Sequence, residues 1–508
     1  MRLVIDLLDS ISGIDPATLQ VTRELAASSN GHEVWVAVAL GAANAAETVR
    51  LALDGALPAG RVRAFAVPPA GRTREHLRQH ALAGLEPDVM LVPARISKNT
   101  TTVIPADAGT HRQGASSNLE PQDGKLSMGP GFRRDDGLGV IPVLVADVRG
   151  ADPKQLWIEL EATAAERRPA QPQQGKPKLA YVSPLPPEKS GIADYSAELV
   201  PELAKYYEVE LVIGQDRVDD ARLSGYPLRD GAWLREHASS YDRVVYHFGN
   251  SHAHKHMFEL IREVPGIVVL HDFYLSGVLD NLEREGYLPQ AFLKALYESH
   301  GYTGLLDHRK EGRNPSIWKY PVNKGVLDAA AGVIVHSDFS KELAVRWYGE
   351  GAADGWRTIP LLRGKPEGAA TAQARAAARA RLDLAEDDFL VCTFGMLGRT
   401  KLNEELLDAF LASPLASDPH CKLVFVGEND PGLYGGGLLK KIGDCPAASR
   451  IRITGFVDAP AYADYLAACD CAVQLRASTR GETSAAVLDC LLYGRPTIVN
   501  AHGSTASI

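Results

Sequence analysis

The sequence predicts an α/β protein built from doubly wound sheets. Two observations predict it. Short apolar runs rich in Val, Ile and Leu alternate with amphipathic stretches of helical length through most of the chain, the pattern that parallel strands with crossover helices produce. The 508 residues, 45% hydrophobic and 23% charged, suffice for about three domains with packed cores.

The first block, residues 1–150, opens with the strand Leu3-Val4-Ile5-Asp6-Leu7, followed by a helical stretch and a second strand from His32 to Val38. Further strands are expected at 62–67, 88–92 and 141–146, about half of a doubly wound sheet. The stretch 98–137 is poor in apolar periodicity and rich in Gly, Ser, Asp and Arg. It is expected to be a disordered insertion, because a structureless run of this length does not belong in a compact domain. Its VIPADAG start and FRRDDG end resemble the translated product of dispersed palindromic repeats. Residues 151–177 supply a helix from Pro153 to Arg168 and the Pro- and Gln-rich linker RRPAQPQQGKPK.

The second block, 178–365, opens with Leu179-Ala180-Tyr181-Val182-Ser183. Its other strands are expected at 209–213, 243–247, 267–271 and 333–336. An Ala-rich helix, Thr371 to Arg381, leads into the third block, 366–508, with strands at 390–394, 422–426, 450–453, 471–475 and 497–500. The expected architecture is therefore two tandem Rossmann-like doubly wound domains preceded by an incomplete Rossmann-like half. The last strand has no covering helix before Ile508, and the third block is expected to be truncated.

A formal charge of −9 argues against nucleic acid as a partner. No apolar run reaches the length of a membrane span. MRLVIDLLDS, broken by Asp6 and Asp9, is expected to be a strand rather than a secretory signal. The six cysteines lie between Cys392 and Cys490 without a CxxC pair, as reduced core thiols of a cytoplasmic protein would.

In open α/β sheets ligands bind at the carboxyl ends of the strands, so the loops there carry the candidates. After the first strand of the second block, SPLPPEKSGIADYSAEL (183–199) places Gly191 at the start of a helix. After the first strand of the third block, FGMLGRTKLNEELLDAF (394–410) sets Gly395 and Gly398 for close backbone approach, with Arg399 and Lys401 just before a helix that starts near Asn403. Cations at a helix N-terminus oppose its macrodipole unless an anion sits between them, which points to phosphate. RGETSAAVLDCLLYGRPTIVNAHGS (480–504) puts Glu482 at a strand–helix junction and Asp489 seven residues on, a spacing that shares a helix face and suits sugar or ribose hydroxyls. Taken singly, a solvated basic turn or a capping carboxylate would explain each of these features.

Taken together, these segments, with YHFGNSHAHKHMFELI (246–261), VVLHDFYLSGVL (268–279), LVFVGEND and RIRITGFV, resemble a family-4 retaining glycosyltransferase of the GT-B fold over about residues 176–508. Within that family they are similar to bacterial mannosyltransferases of O-antigen synthesis. Block one resembles the amino-terminal half of a second such enzyme. The resemblance implies that Gly191 lies against the donor phosphates, that Lys401 binds them, that His271 sits beside the reacting sugar and that Asp489 holds the ribose. It implies catalytic roles for His271 and Glu482, and donor binding by Gly191, Gly395, Arg399, Lys401 and Asp489. It further implies no metal and no cofactor beyond the donor, GDP-mannose. The acceptor would be a lipid-linked or polysaccharide glycan, with peripheral contact at the inner membrane surface. The chain departs from the family pattern at Met396, where an Arg is usual, at Gly481, which leaves Glu482 one residue off, and at Asp489, which replaces Glu.

His252, His254 and His256 form an HxHxH string, but only His252 and His256 would share a helix face, and no Cys or acidic partner accompanies them. Glu386-Asp387-Asp388 precedes a strand rather than following one, as a solvated loop would. Gly432 and Gly435 to Gly437 do not give GxGxxG in register. Two other functions stay open, a non-catalytic remnant that binds nucleotide sugar and a sugar-nucleotide epimerase on the same fold.

Overall fold

A computed structural model of the chain describes residues 1–8, 14–39, 45–65, 78, 81–82, 84–93, 127–134, 139–165, 175–364 and 368–507. It divides into two compact units, Met1–Ile359 and Pro360–Ile508. The first unit holds two sheets and the second holds one.

The first sheet contains β1 (Arg2–Leu7), β2 (Glu33–Ala39), β3 (Val62–Phe65), β4 (Val89–Pro93), β5 (Ser127–Arg134) and β6 (Gly139–Ala146), in the order β3-β2-β1-β4-β6-β5. The described side chains of β1, β2 and β3 are buried almost throughout, which is why these segments read as continuous apolar runs. The helix Pro16–Ala27 between β1 and β2 starts where Pro16 follows Asp15, whose carboxylate accepts from the amides of Ala17 and Thr18. The 98–137 stretch needs a correction. Ser127–Arg134 within it is an edge strand, antiparallel to β6, with a register irregularity between Gly129 and Phe132. Pairing with an apolar partner strand ordered this segment without any apolar periodicity of its own. The rest of the stretch, and most of the linker, lie outside the described residues.

The second sheet contains β7 (Lys178–Val182), β8 (Glu208–Val212), β9 (Leu228–Arg229), β10 (Arg243–Phe248), β11 (Ile267–Leu270), β12 (Gly332–Val335) and β13 (Arg357–Thr358), in the order β13-β12-β11-β10-β7-β8-β9. All its pairings are parallel. The two-residue strands β9 and β13 carry too little apolar pattern to be seen in the sequence. The second sheet packs with the first in one unit. Arg50 pairs with Asp328 at 2.9 Å, Arg61 with Asp354 at 2.5 Å and Arg357 with Glu86 at 2.6 Å. The buried Arg63 donates to the carbonyls of Leu327 and Ala330. An arginine held by carbonyls in this way has exchanged water for protein partners, and these contacts fix one docking geometry.

The second unit contains β14 (Phe389–Phe394), β15 (Cys421–Val426), β16 (Ile451–Ile453), β17 (Cys471–Gln474) and β18 (Thr497–Val499), in the order β16-β15-β14-β17-β18, all parallel. This is the order 3-2-1-4-5, in which the winding reverses between β14 and β17. The helix Ala372–Arg381 begins where Thr371 accepts from the Ala374 amide, and it is tied to the sheet by Arg375 and Arg379 on Asp470. The α/β, doubly wound fold expected from the sequence is the fold observed. Among the described residues no helix is long and apolar enough to cross a membrane.

Candidate functional site

The reversal of winding in the second unit leaves a crevice at the carboxyl ends of β14 and β17. β14 is followed by Gly395, whose φ of +106° is open to glycine alone at low cost. The Gly395 amide stays in the sheet, donating to Val426 at 3.0 Å. Next to it Gly427 lets the two strand ends close up, since a Cβ there would lie 2.1 Å from the Gly395 carbonyl oxygen. The chain then makes a single turn, Arg399–Lys401, and passes through Leu402 in the left-handed region into the helix Asn403–Ala412. Asn403 fixes the turn by accepting from the Gly398 amide at 2.9 Å.

The loop after β17 is sewn to this turn. The Ala477 amide donates to the Thr400 carbonyl at 3.0 Å. Asn500, just past β18, holds Arg476 on both sides, accepting from its amide at 2.9 Å and donating to its carbonyl at 2.5 Å. Arg476 in turn reaches Glu482, Nη1 to Oε1 at 3.1 Å. The other oxygen of Glu482 accepts from the Arg480 amide at 2.6 Å, and its backbone carbonyl accepts from Ser504.

Lys401 is the residue on which these loops converge. Its ammonium folds back over the end of β14, 3.8 Å from where a Cβ on Gly395 would lie. Among the described residues it has neither a hydrogen bond nor an ion pair. Burial, then repulsion from Arg476, bring its pKa down to about 7 against a smaller opposing pull from Glu482. Two cations thus share one carboxylate at a switch point, an arrangement with spare positive charge that an anion can neutralise.

Arg476 carries no motif of its own in the sequence, and only its place two residues past a strand could have flagged it. Arg399 turns away, exposed, with its guanidinium carbon 5.9 Å from the Tyr434 ring centre. Met396 is exposed in the same loop. Asp489 is buried and engaged. Arg363 grips it bidentately at 2.7 and 3.1 Å, and the Tyr462 hydroxyl donates to it at 3.2 Å. The seven-residue spacing does not place it with Glu482, because the helix starts at Ala485 and Glu482 lies in the loop before it.

In the first unit, Gly191 is the first residue of the helix Gly191–Leu203, which Ser190 caps through the Ile192 amide. A Cβ on Gly191 would meet nothing within 4 Å. One turn on, Tyr195 packs edge-on against His271, with ring centres 5.0 Å apart. His271 follows β11, its amide held by Phe248 at 2.9 Å. Its Nε2 shares a proton with Nδ1 of His247 at 3.0 Å, and its ring lies 4.7 Å from that of His336. These histidines stand at the carboxyl ends of three neighbouring strands. Burial holds His247 and His271 well below the ordinary histidine value, so both are neutral imidazoles, able to exchange hydrogen bonds but not to supply charge. In the HxHxH string His252 pairs with Glu285 at 2.8 Å, while His254 and His256 are turned down to about 4 by burial. Among the described residues no group of three or more His, Cys, Asp or Glu is arranged to hold a metal ion.

No known protein family and no curated protein matches the chain. Among solved structures it is similar to HepE of Anabaena in complex with UDP and glucose, at 17% identity and a TM-score of 0.45, over 65% of this chain and 83% of that one. It is similar also to the sucrose-phosphate synthase of Thermosynechococcus elongatus, at 18% identity and a TM-score of 0.43, over 64% and 82%. A third is WaaG, a glycosyltransferase involved in lipopolysaccharide biosynthesis, at 15% identity and a TM-score of 0.42, over 65% and 82%.

Proposed function

We propose that the chain is a hexosyltransferase that uses a nucleoside-diphosphate sugar and binds the diphosphate at the crevice between β14 and β17. The observation that carries this reading is Lys401, an ammonium with no direct partner among the described residues, brought to about 7 beside a second cation at the switch point of a doubly wound sheet. A half-buried cation held in this way is stabilised by an arriving anion. It would count for more as charge builds on the leaving diphosphate. The sequence resemblance adds the finer terms: mannose from GDP-mannose, transfer with retention, and a lipid-linked or polysaccharide acceptor of the O-antigen kind. The departing phosphate would then assist deprotonation of the acceptor hydroxyl on the same face. Lys401 is the group offered to that phosphate, since the Glu404 amide opening the helix Asn403–Ala412 is already taken by the Tyr434 hydroxyl at 3.0 Å. His271 is assigned to the sugar, and a neutral imidazole suits hydroxyl recognition.

The test is calorimetric titration of the chain with GDP-mannose, UDP-glucose and ADP-glucose, followed by incubation of the best-bound donor with and without a glycan acceptor. Saturable binding with transfer to the acceptor is expected, with GDP-mannose bound best. Binding without turnover would mark a remnant, and epimerised donor in the absence of acceptor would mark an epimerase. Binding of none of the three would overturn the reading.

A further inference from the structure

Glu482 occupies an unusual position for a carboxylate next to an anion site. It would repel a phosphate, yet its backbone and one oxygen are firmly held, by Ser504 and by the Arg480 amide. Only its Oε1 is lightly committed, to Nη1 of Arg476 at 3.1 Å. The same unit shows what a permanent pair looks like. Arg363 meets Asp489 through two nitrogens at 2.7 and 3.1 Å, with side-chain exposures of 14% and 6% and a tyrosine hydroxyl in support. Arg476 and Glu482 meet through one nitrogen and one oxygen, at exposures of 22% and 17%. Among the described residues Arg476 therefore keeps donors to spare, its backbone is clamped by Asn500, and its charge is felt at Lys401.

We infer that Arg476 is the second cation of the diphosphate site and that Glu482 is its internal counter-ion, standing where the phosphate will compete. The inference rests on the proposed reading of the site and deepens it. Glu482 partly neutralises two cations that would otherwise face each other. When a diphosphate enters, Arg476 turns donors to the phosphate, for which a guanidinium fork is well shaped. Glu482 keeps Oε2 on the Arg480 amide and gives up Oε1, which becomes free to accept from a hydroxyl of the bound donor. The Arg usual at position 396, here an exposed Met396, is thereby replaced from the neighbouring strand's loop rather than by Arg399.

The experiment is titration of the full chain with GDP and with inorganic pyrophosphate, for the parent, Lys401→Ala, Arg476→Ala, Arg476→Lys, Arg399→Ala and Glu482→Gln. Arg476→Ala is expected to weaken both ligands by about tenfold or more, as loss of a charge-assisted contact does, and by more than Arg399→Ala does. Arg476→Lys should recover part of the loss. Glu482→Gln is expected to tighten pyrophosphate by about threefold, the scale of a partly exposed ion pair, while slowing sugar transfer. If Lys401→Ala loses the ligands and Arg476→Ala binds them like the parent, this inference fails and the proposed function stands. If the parent binds neither, both fail. Should Arg476→Ala not fold, Glu482→Gln still decides: unchanged or weaker pyrophosphate binding by Glu482→Gln overturns the counter-ion role.

Discussion

The first and third sheets are wound alike around their first strands, β3-β2-β1-β4 in one and β16-β15-β14-β17 in the other, but they finish the carboxyl end of that strand in opposite ways. β1 carries Asp6 there, fully buried and paired with the equally buried Arg78, with the Leu8 amide also on its carboxylate. β14 runs instead into bare backbone at Gly395 and the ammonium of Lys401, which meets no partner among the described residues. The fold offers a crevice at both switch points. What distinguishes them is whether charge is balanced inside the protein or left for something else to balance. The first sheet has spent its charges on structure, both at Asp6–Arg78 and on the arginines that dock it against the second sheet. The third has kept one in reserve.

Breaking the closed end should have the largest effect. Asp6→Ala removes the buried carboxylate that Arg78 meets, and loss of one member of a buried pair destabilises by about 3–5 kcal/mol. All six tryptophans lie before residue 360, so urea unfolding followed by tryptophan fluorescence reports the first unit alone. A large shift in that transition with GDP affinity unchanged is expected. An unshifted midpoint would show that the pair is not structural. The converse holds at the open end. Lys401→Ala should leave the fluorescence transition where it is and weaken GDP by about 1.5–3 kcal/mol, the worth of a hydrogen bond to a charged group. The reduction in sugar transfer should be larger than the loss of binding. Parent-like binding and transfer would place the phosphate elsewhere.

The same contrast explains what the sequence could and could not reveal. The long apolar runs of all three sheets were legible, within a residue or two, because a strand buried on both faces advertises itself. The start of the helix at Asn403 was legible from the glycines and cations before it. Lys401 could be singled out because its conflict with a helix N-terminus is a local property. Arg476 could not, because its meaning comes from lying across a parallel pairing, β14 on β17, that joins residues some eighty positions apart. The spacing argument that joined Asp489 to Glu482 failed for a related reason. A heptad argument holds inside a helix, and Glu482 stands three residues before the helix begins. That Asp489 would be claimed by Arg363, from the far end of the unit's chain, was equally invisible. So was the joining of the first two blocks into one unit, which rests on arginines that read in sequence as ordinary surface charge.

A subtler probe of the open end is pH. Lys401 sits at about 7, and a bound diphosphate raises that value by favouring the charged form. Below 7 the side chain is already protonated in both states and affinity is flat. Above 7 binding must take up a proton, so affinity falls by up to about tenfold per pH unit until the bound value is reached. GDP-mannose is the ligand to use, because its diphosphate does not itself titrate in this range. Calorimetry in buffers of different ionisation heat should show proton uptake near pH 8 and none near pH 6. Lys401→Arg, charged throughout, should flatten the profile. A parent profile flat to pH 9 would mean that the ammonium does not meet the ligand.

The smallest expected effect tests whether bare backbone at the end of β14 matters in itself. Gly395→Ala forces an L-residue to a φ of +106°, which costs about 1 kcal/mol in a region that side chains avoid. That should appear in the thermal unfolding of the second unit, followed by calorimetry because this unit has no tryptophan. The new methyl would lie 3.8 Å from Nζ of Lys401, ordinary contact that displaces nothing but covers part of the ammonium. The Gly395 amide is already used on Val426, so the phosphate loses no donor. Together these set the expected weakening of GDP at about threefold, near 0.7 kcal/mol, within the scale of a partly screened charge contact. A loss as large as that of Lys401→Ala, with the fold intact, would mean that the phosphate rests on the strand end itself and that the ammonium is secondary.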